Sequence, residues 1–227
     1  MVTATAPLRS IRRRIRALNR RLQSVYGLAQ KHRLDPLDEL MLTILSQSTS
    51  DSNRDRGYES LRDRFPTWEA VRTAPRRGVE EAIRPAGLWK QKARVLQETL
   101  EAIHEDRGAL DLSHLHRLTN DEVIEELTRF RGVGVKTAAC VLCFSMGRDY
   151  MPVDTHVHRV ARRLGLIPER STADQAHGLL NRDDSVPAEL RFEFHIQLIR
   201  HGRAVCRASR PACSECVLED LCPKVGV

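Results

Sequence analysis

The 227-residue chain exceeds one ordinary domain of about 100–200 residues but falls short of two large ones, so one domain with a sizeable addition, or two intertwined small ones, fits its length. A hydrophobic share of 41% supports a packed core and excludes a disordered chain, and no apolar run approaches the roughly 18 residues of a membrane span. The net charge of +7 is concentrated: residues 1–34 hold nine bases (Arg9, Arg12, Arg13, Arg14, Arg16, Arg20, Arg21, Lys31 and Arg33) and no acid, leaving 28 basic against 30 acidic residues elsewhere.

That cationic segment suits a polyanion, to which phosphate contacts would make binding salt-dependent; a solvated helix face or an Arg-rich transit peptide are the plainer readings. Ile11, Ile15, Leu18, Leu22 and Val25 recur at helical spacing, which predicts an amphipathic helix packed on the body. The start lacks the apolar stretch of a secretory signal, so the six cysteines are expected in a reducing, cytoplasmic setting.

Asp35-Pro36 reads as an N-cap with proline at the first helical position, and Leu37, Leu40, Met41, Ile44 and Leu45 form a buried stripe. The polar run Ser46–Asp51 interrupts it, with Asp51 expected to cap a helix reaching Phe65. Thr67 opens a short helix, and a turn from Gly78 to Ile83 ends at Pro85-Ala86-Gly87. Ala93, Leu96, Leu100 and Ile103 line the next helix, closed by Gly108. Thr119 with Glu122 forms a capping box for a helix to about Arg129, and a helix over Val135–Met146 stops at Gly147. Further helices are predicted over 155–164, 172–181 and 187–202. No segment alternates with period two, so the class is all-α.

The strongest chemical signal is Cys206, Cys213, Cys216 and Cys222, spaced C-x6-C-x2-C-x5-C. Four thiolates this close can enclose one soft metal centre, an iron–sulfur cluster or zinc, with disulfides as the alternative. Arg207 and Arg210 in the same loop make a phosphate-binding surface conceivable. Cys140 and Cys143 lie in an apolar run and read as buried thiols rather than a redox pair.

A second signal is Phe130-Arg131-Gly132-Val133-Gly134-Val135-Lys136-Thr137-Ala138 between two helices. Gly132 and Gly134 would let a phosphate approach backbone N–H groups, and no preceding strand supports a dinucleotide fold; an ordinary helix–helix turn is the plain alternative. Arg outnumbers Lys 32 to 5, which leaves few candidates for amine chemistry. Lys136 follows the hairpin, where the positive helix end and partial burial disfavour an ammonium, as a Schiff-base lysine requires; a phosphate-contacting lysine is the default. Asp154, in Val153-Asp154-Thr155-His156-Val157-His158-Arg159, is placed to cap a helix and also to face a cationic transition state. His156 and His158 read as polar packing.

The sequence G-V-G-V-K-T-A, then V-D-T-H-V-H-R, then the Cys set, with G-L-W-K-Q-K-A (87–93) and H-G-R-A-V-C (201–206), resembles the endonuclease III family of base-excision DNA glycosylases. The resemblance runs from about residue 35 to 223. It implies two helical domains flanking a DNA-binding cleft: a six-helix barrel domain with a helix–hairpin–helix at 29–148, and an iron–sulfur domain from 1–28 and 149–227. It implies a [4Fe–4S] cluster on the four cysteines and extrusion of the damaged nucleotide. It also implies a glycosylase and AP lyase acting on oxidised pyrimidines: Lys136 attacks C1′, Asp154 assists, and β-elimination nicks the strand. The implied partner is double-stranded DNA with a damaged base or abasic site, bound by a monomer with no membrane role, cytoplasmic or nucleoid-associated.

The chain departs from the family pattern in places. Phe130-Arg131 stands for Leu-Pro, and Val135 for a frequent Arg, which leaves Lys136 less depressed and the lyase step weaker. Gln47 is one place early and Ser48 takes its position, so either could fill the gap left by the flipped base, with Leu88 wedging from the other side. Only ten aromatics suggest a pocket that reads polar edges. A monofunctional or mismatch-type glycosylase on the same fold is one alternative, though such relatives generally lack the lysine. A non-catalytic, metal-stabilised DNA-binding module is the other.

Overall fold

The computed structural model describes residues 6–31 and 33–227, with side chains from Ile11 onward; residues 1–5 and the Arg9 side chain of the cationic segment lie outside them. Among the described residues there are eleven α-helices and no strand. They are α1 (Ala6–Tyr26), α2 (Pro36–Ser46), α3 (Asp51–Arg64), α4 (Trp68–Thr73), α5 (Arg76–Ala82), α6 (Trp89–Arg107), α7 (Asn120–Thr128), α8 (Val135–Cys140), α9 (Thr155–Arg163), α10 (Ala173–Leu180) and α11 (Arg191–Ala204). The chain divides into two compact units, one joining residues up to Lys31 with Arg148–Val227, the other running on to Gly147.

The unit ending at Gly147 contains α2–α8, one helix more than the six expected, because the segment read as a turn forms α5. Gly78 costs such a helix about 1 kcal/mol, but Val79, Ala82 and Ile83 lie i, i+3 and i+4 and are all buried, and their burial outweighs it. At α2 the sequence reading holds: Asp35 Oδ1 accepts the Leu37 N–H at 2.9 Å, and the whole Leu37–Leu45 stripe is buried. At α3 it does not, since Ser50 rather than Asp51 is the cap, its hydroxyl accepting from the Asn53 N–H. Asp51 instead occupies the first helical position, where its charge suits the dipole.

In the same unit Lys92 of α6 is buried to 2% exposure, and its Nζ donates to Leu45 O and Ala86 O, each at 2.7 Å. One ammonium thus ties the end of α2 to the turn before α6. The other unit packs Ile15, Leu18 and Leu22 of α1 with Val157, Val160 and Ala161 of α9 and Phe194 and Leu198 of α11. Ile11 and Val25 from the expected α1 stripe are exposed, so that stripe is narrower than its spacing suggested.

Replacing Lys92 with Met keeps the stem and removes both hydrogen bonds, leaving two buried carbonyls short of a donor. Urea unfolding at pH 7 is expected to show a loss of about 2 kcal/mol. Burial pushes the ammonium down to about 8. The unfolded chain therefore holds that proton to higher pH than the native state, and wild type gains further on the variant as pH rises above about 8.

Candidate functional site

The capping box at Thr119 starts α7, with the Thr119 N–H on Glu122 Oε2 at 2.7 Å and the Glu122 N–H on Thr119 Oγ1 at 3.3 Å. α7 ends at Thr128, the Val133 N–H closes the hairpin turn on Phe130 O at 3.0 Å, and α8 starts at Val135. Gly132 has φ +84, and a Cβ there would stand 2.9 Å from Val95 Cγ2 on α6, so this position requires glycine twice over. Gly134, expected to need the same freedom, has φ −99, and a Cβ would meet nothing. Its backbone is open to any residue.

Lys136 lies half-buried in the first turn of α8. The expected continuous helix to Met146 changes hand-hold at Val141, where a π-helical turn (Val141–Ser145) closes with the Met146 N–H on Val141 O. Such turns insert one residue into the ladder and recur at functional sites. Cys140 and Cys143 are both buried there.

The loop after α2 reaches the hairpin directly: Gln47 Nε2 donates to Gly132 O at 3.1 Å. Ser48 beside it is exposed with φ 51. Leu88, ahead of α6, has φ 47 and is 52% exposed. A non-glycine residue in this region, with a large apolar side chain left in water, is costly in backbone and in solvation. Both loops hang from the carbonyls that Lys92 holds, which the sequence did not reveal because a lysine offers no periodic signal of burial.

In the other unit Asp154 caps α9, its Oδ1 accepting the Val157 N–H at 2.7 Å. The segment before it is pinned by groups that sequence reading passed over. Asn181 accepts from the Met151 N–H at 2.6 Å and donates to Met151 O at 2.9 Å. His177 Nε2 accepts the Val153 N–H at 2.9 Å, and His195 Nδ1 donates to Pro152 O at 2.8 Å. His156 and His158 are satisfied locally, His158 Nε2 on Ser171 O at 2.7 Å and His156 Nδ1 on the Arg159 guanidinium at 3.0 Å.

Cys206, Cys213, Cys216 and Cys222 border one cavity whose walls are otherwise largely apolar, including Val160, Leu164 and Leu218. Among the described residues no three His, Cys, Asp or Glu side chains converge on a single-ion position. Burial pushes the Cys216 and Cys222 thiols up, and the neighbouring cysteines add to this. Bare thiolates are therefore disfavoured, and a cationic metal centre is what would stabilise them. Donors already point at the sulfurs: the Leu218 N–H on Cys216, the Lys224 N–H on Cys222 and the Arg163 guanidinium on Cys206, each at 3.4 Å. Burial pushes His201 down to about 4, so its imidazole is neutral, with Tyr26 Oη 3.2 Å from Nδ1 and Cys216 Sγ 3.5 Å from Nε2. The donor set fits a sulfur-ligated metal cluster. Arg207 and Arg210 are exposed on this loop.

Gly132→Ala places a methyl against Val95 and forces an alanine to positive φ, so a loss of about 2–3 kcal/mol in chemical unfolding is expected. Gly134→Ala, in contrast, should change stability by less than about 1 kcal/mol.

A family model described as HhH-GPD superfamily base excision DNA repair protein matches residues 41–182, and one described as the iron–sulfur binding domain of endonuclease III matches 206–222. A protein of Arabidopsis thaliana, provisionally named a DNA glycosylase, is 37% identical over 193 residues, covering 84% of this chain and 65% of its own length. This chain thus spans just under two thirds of that relative. Endonuclease III of Thermotoga maritima is 30% identical over 188 residues, covering 83% of each chain, and that of Escherichia coli (strain K12) is 32% identical over 190 residues, covering 82% of this chain and 83% of its own. A solved structure of a trapped endonuclease III–DNA covalent intermediate superposes with a TM-score of 0.79 at 27% identity, covering 99% of this chain and 97% of that one. The cysteines that border the cavity open and close the iron–sulfur match, and the hairpin lies inside the repair-protein match. The chain belongs to the HhH-GPD superfamily and, within it, to the endonuclease III family of base-excision repair DNA glycosylases, with a [4Fe–4S] cluster as cofactor.

Proposed function

We propose that this glycosylase removes oxidised pyrimidines from duplex DNA and then nicks the strand as an AP lyase, with Lys136 as nucleophile. The observation that carries this reading is the place of Lys136: half-buried, in the first turn of the second helix of the helix–hairpin–helix, in a chain that superposes closely on a trapped covalent endonuclease III–DNA intermediate.

The neutral Lys136 amine attacks C1′ of the extruded nucleotide, and the glycosidic bond breaks with its electron pair leaving on the base, which is released protonated. Loss of the amine proton and opening of the sugar give a cationic imine. That imine acidifies the C2′ hydrogen; its removal expels the 3′ phosphate by β-elimination, and water then frees the enzyme. Asp154 spends Oδ1 on the α9 cap and keeps its charge available to the developing cation. Gly132 and Gly134 offer the hairpin backbone to a phosphate, Arg207 and Arg210 add a cationic surface, and Gln47, Ser48 and Leu88 occupy the space the base vacates. The strained exposure of Leu88 supports that last role. Cys206, Cys213, Cys216 and Cys222 hold the cluster, which serves the fold of the loop carrying those arginines. The working form is a monomer on DNA.

Borohydride trapping on duplexes with an abasic site, thymine glycol or no damage tests the mechanism. Wild type should give a covalent adduct on damaged DNA only, Lys136→Ala none, and Asp154→Asn a lower rate by at least about tenfold. Base release without an adduct would make the enzyme monofunctional, and binding without either would leave only a DNA-binding module. Anaerobically purified protein should be brown and should bleach as iron is lost, and Cys216→Ser should come out colourless and less stable; a colourless, zinc-containing wild type would overturn the cysteine assignment.

A further inference from the structure

Glu39 belongs to the core of the unit ending at Gly147, yet it is an acid. It is 7% exposed on α2, and its Oε1 accepts the Thr43 hydroxyl at 3.0 Å one turn along the same helix. α2 packs on α8, which carries Lys136, and on α3, which carries Arg54 and Tyr58. Both cations interact electrostatically with the Glu39 carboxyl, and Tyr58 feels its charge in turn. Lys92 of α6 is bound at the other end of α2, on Leu45 O. A buried carboxyl is normally removed by evolution unless it is paired or used. The fold has a complete apolar stripe on α2 without it.

We infer that Glu39 is a positioning residue for the nucleophile, its carboxylate setting the pH range over which Lys136 presents a free amine and then stabilising the cationic imine on the same nitrogen. This rests on the Lys136 reading above. Electrostatic coupling is reciprocal: an ionised Glu39 favours the Lys136 ammonium, and a protonated one releases the amine. Burial pushes the Glu39 carboxyl up to about 7, with the Thr43 hydroxyl, Lys136 and Arg54 pulling it back. Its charge therefore changes near neutrality, where the enzyme must both deprotonate the amine and protect a cation. Glu39 touches no reacting atom in this scheme; it acts through Lys136.

The test is cyanoborohydride trapping on abasic-site duplex across pH 5–9 with full-length, cluster-loaded protein. In Glu39→Gln the part of the acid limb above about pH 7, where wild-type Glu39 is ionised, should move down by roughly 0.5–1 pH unit, a three- to tenfold gain in rate there. The two profiles should converge at lower pH, where Glu39 is itself protonated. At alkaline pH, where the amine is free in both proteins, the variant should nick more slowly after adduct formation. Glu39→Asp should restore most of the wild-type profile. Thr43→Val removes the hydroxyl that favours the carboxylate and should move the acid limb the same way by a smaller amount, which keeps the test open if Glu39→Gln fails to fold. Superposable profiles for wild type, Glu39→Gln and Thr43→Val, with wild-type adduct present, would overturn the role of Glu39 and leave the lyase reading intact. Absence of any wild-type adduct would sink the lyase reading itself, and this inference with it.

Discussion

Four thiols within 17 residues, facing one cavity, are the constraint on which the unit built from both chain ends depends. Burial and mutual proximity push the Cys216 and Cys222 thiols up, so their thiolate forms need the positive charge that a metal cluster supplies. The loop that carries them has little regular structure of its own, only short 3-10 turns at Cys213–Glu215 and Glu219–Leu221. Its backbone carbonyls are satisfied by arginines instead. Arg163 donates to Arg207 O and Ala208 O, and Arg159 to Cys206 O. Arg14 reaches Leu221 O at 2.9 Å and Arg21 reaches Val217 O at 3.1 Å, the segment between the third and fourth cysteines.

Those last two contacts change the meaning of the cationic amino-terminal segment. Its charge invited a reading as a polyanion-binding arm, yet Arg14 and Arg21 are engaged with the cysteine loop and Arg16 pairs with Glu189. Arginine suits this work because a planar guanidinium with five donors can bridge several carbonyls at once, which a lysine cannot. Arg12, Arg13 and Arg20 remain exposed for solvent or phosphate. The arginine excess is thus in part a structural device: a loop wrapped around a metal centre cannot form its own ladder, and long forked donors from neighbouring helices replace it.

What could be read from the sequence follows from how local each feature is. Caps at Asp35, Thr67, Thr119 and Asp154 were legible because a cap is a relation between residues two or three apart. The apolar stripe of α2 and the cysteine set were legible for the same reason. α5 is not legible in the same way, because it carries Gly78 and its apolar pattern, Val79 to Ile83, is only five residues long. The π-helical turn at Val141–Ser145 has no compositional signature, since the run that forms it is apolar whichever ladder it adopts. The polar supports were invisible. His177, His195 and Asn181 fix the strand-like segment before Asp154 from about 25 to 45 residues away, and nothing in their neighbourhoods distinguishes them from surface residues.

Glu39 shows how a residue next to Lys136 in sequence and one nearly a hundred residues away bear on the same atom. Val135 stands beside Lys136 where the family pattern frequently has an arginine, so this position adds no positive charge next to the amine. Glu39 adds a carboxylate within electrostatic reach, which acts in the same direction. An ionised Glu39 favours charge on the Lys136 nitrogen by reciprocity. On the mechanism proposed above, a nucleophile held this way would be slower to attack while Glu39 is ionised but would carry its imine cation at lower cost afterwards, because the nitrogen that must be neutral for attack is positive throughout elimination. On that same mechanism, the protonation of a single buried acid sets the balance between attack and elimination, and Thr43, whose hydroxyl donates to that acid, would act on the nucleophile without approaching DNA.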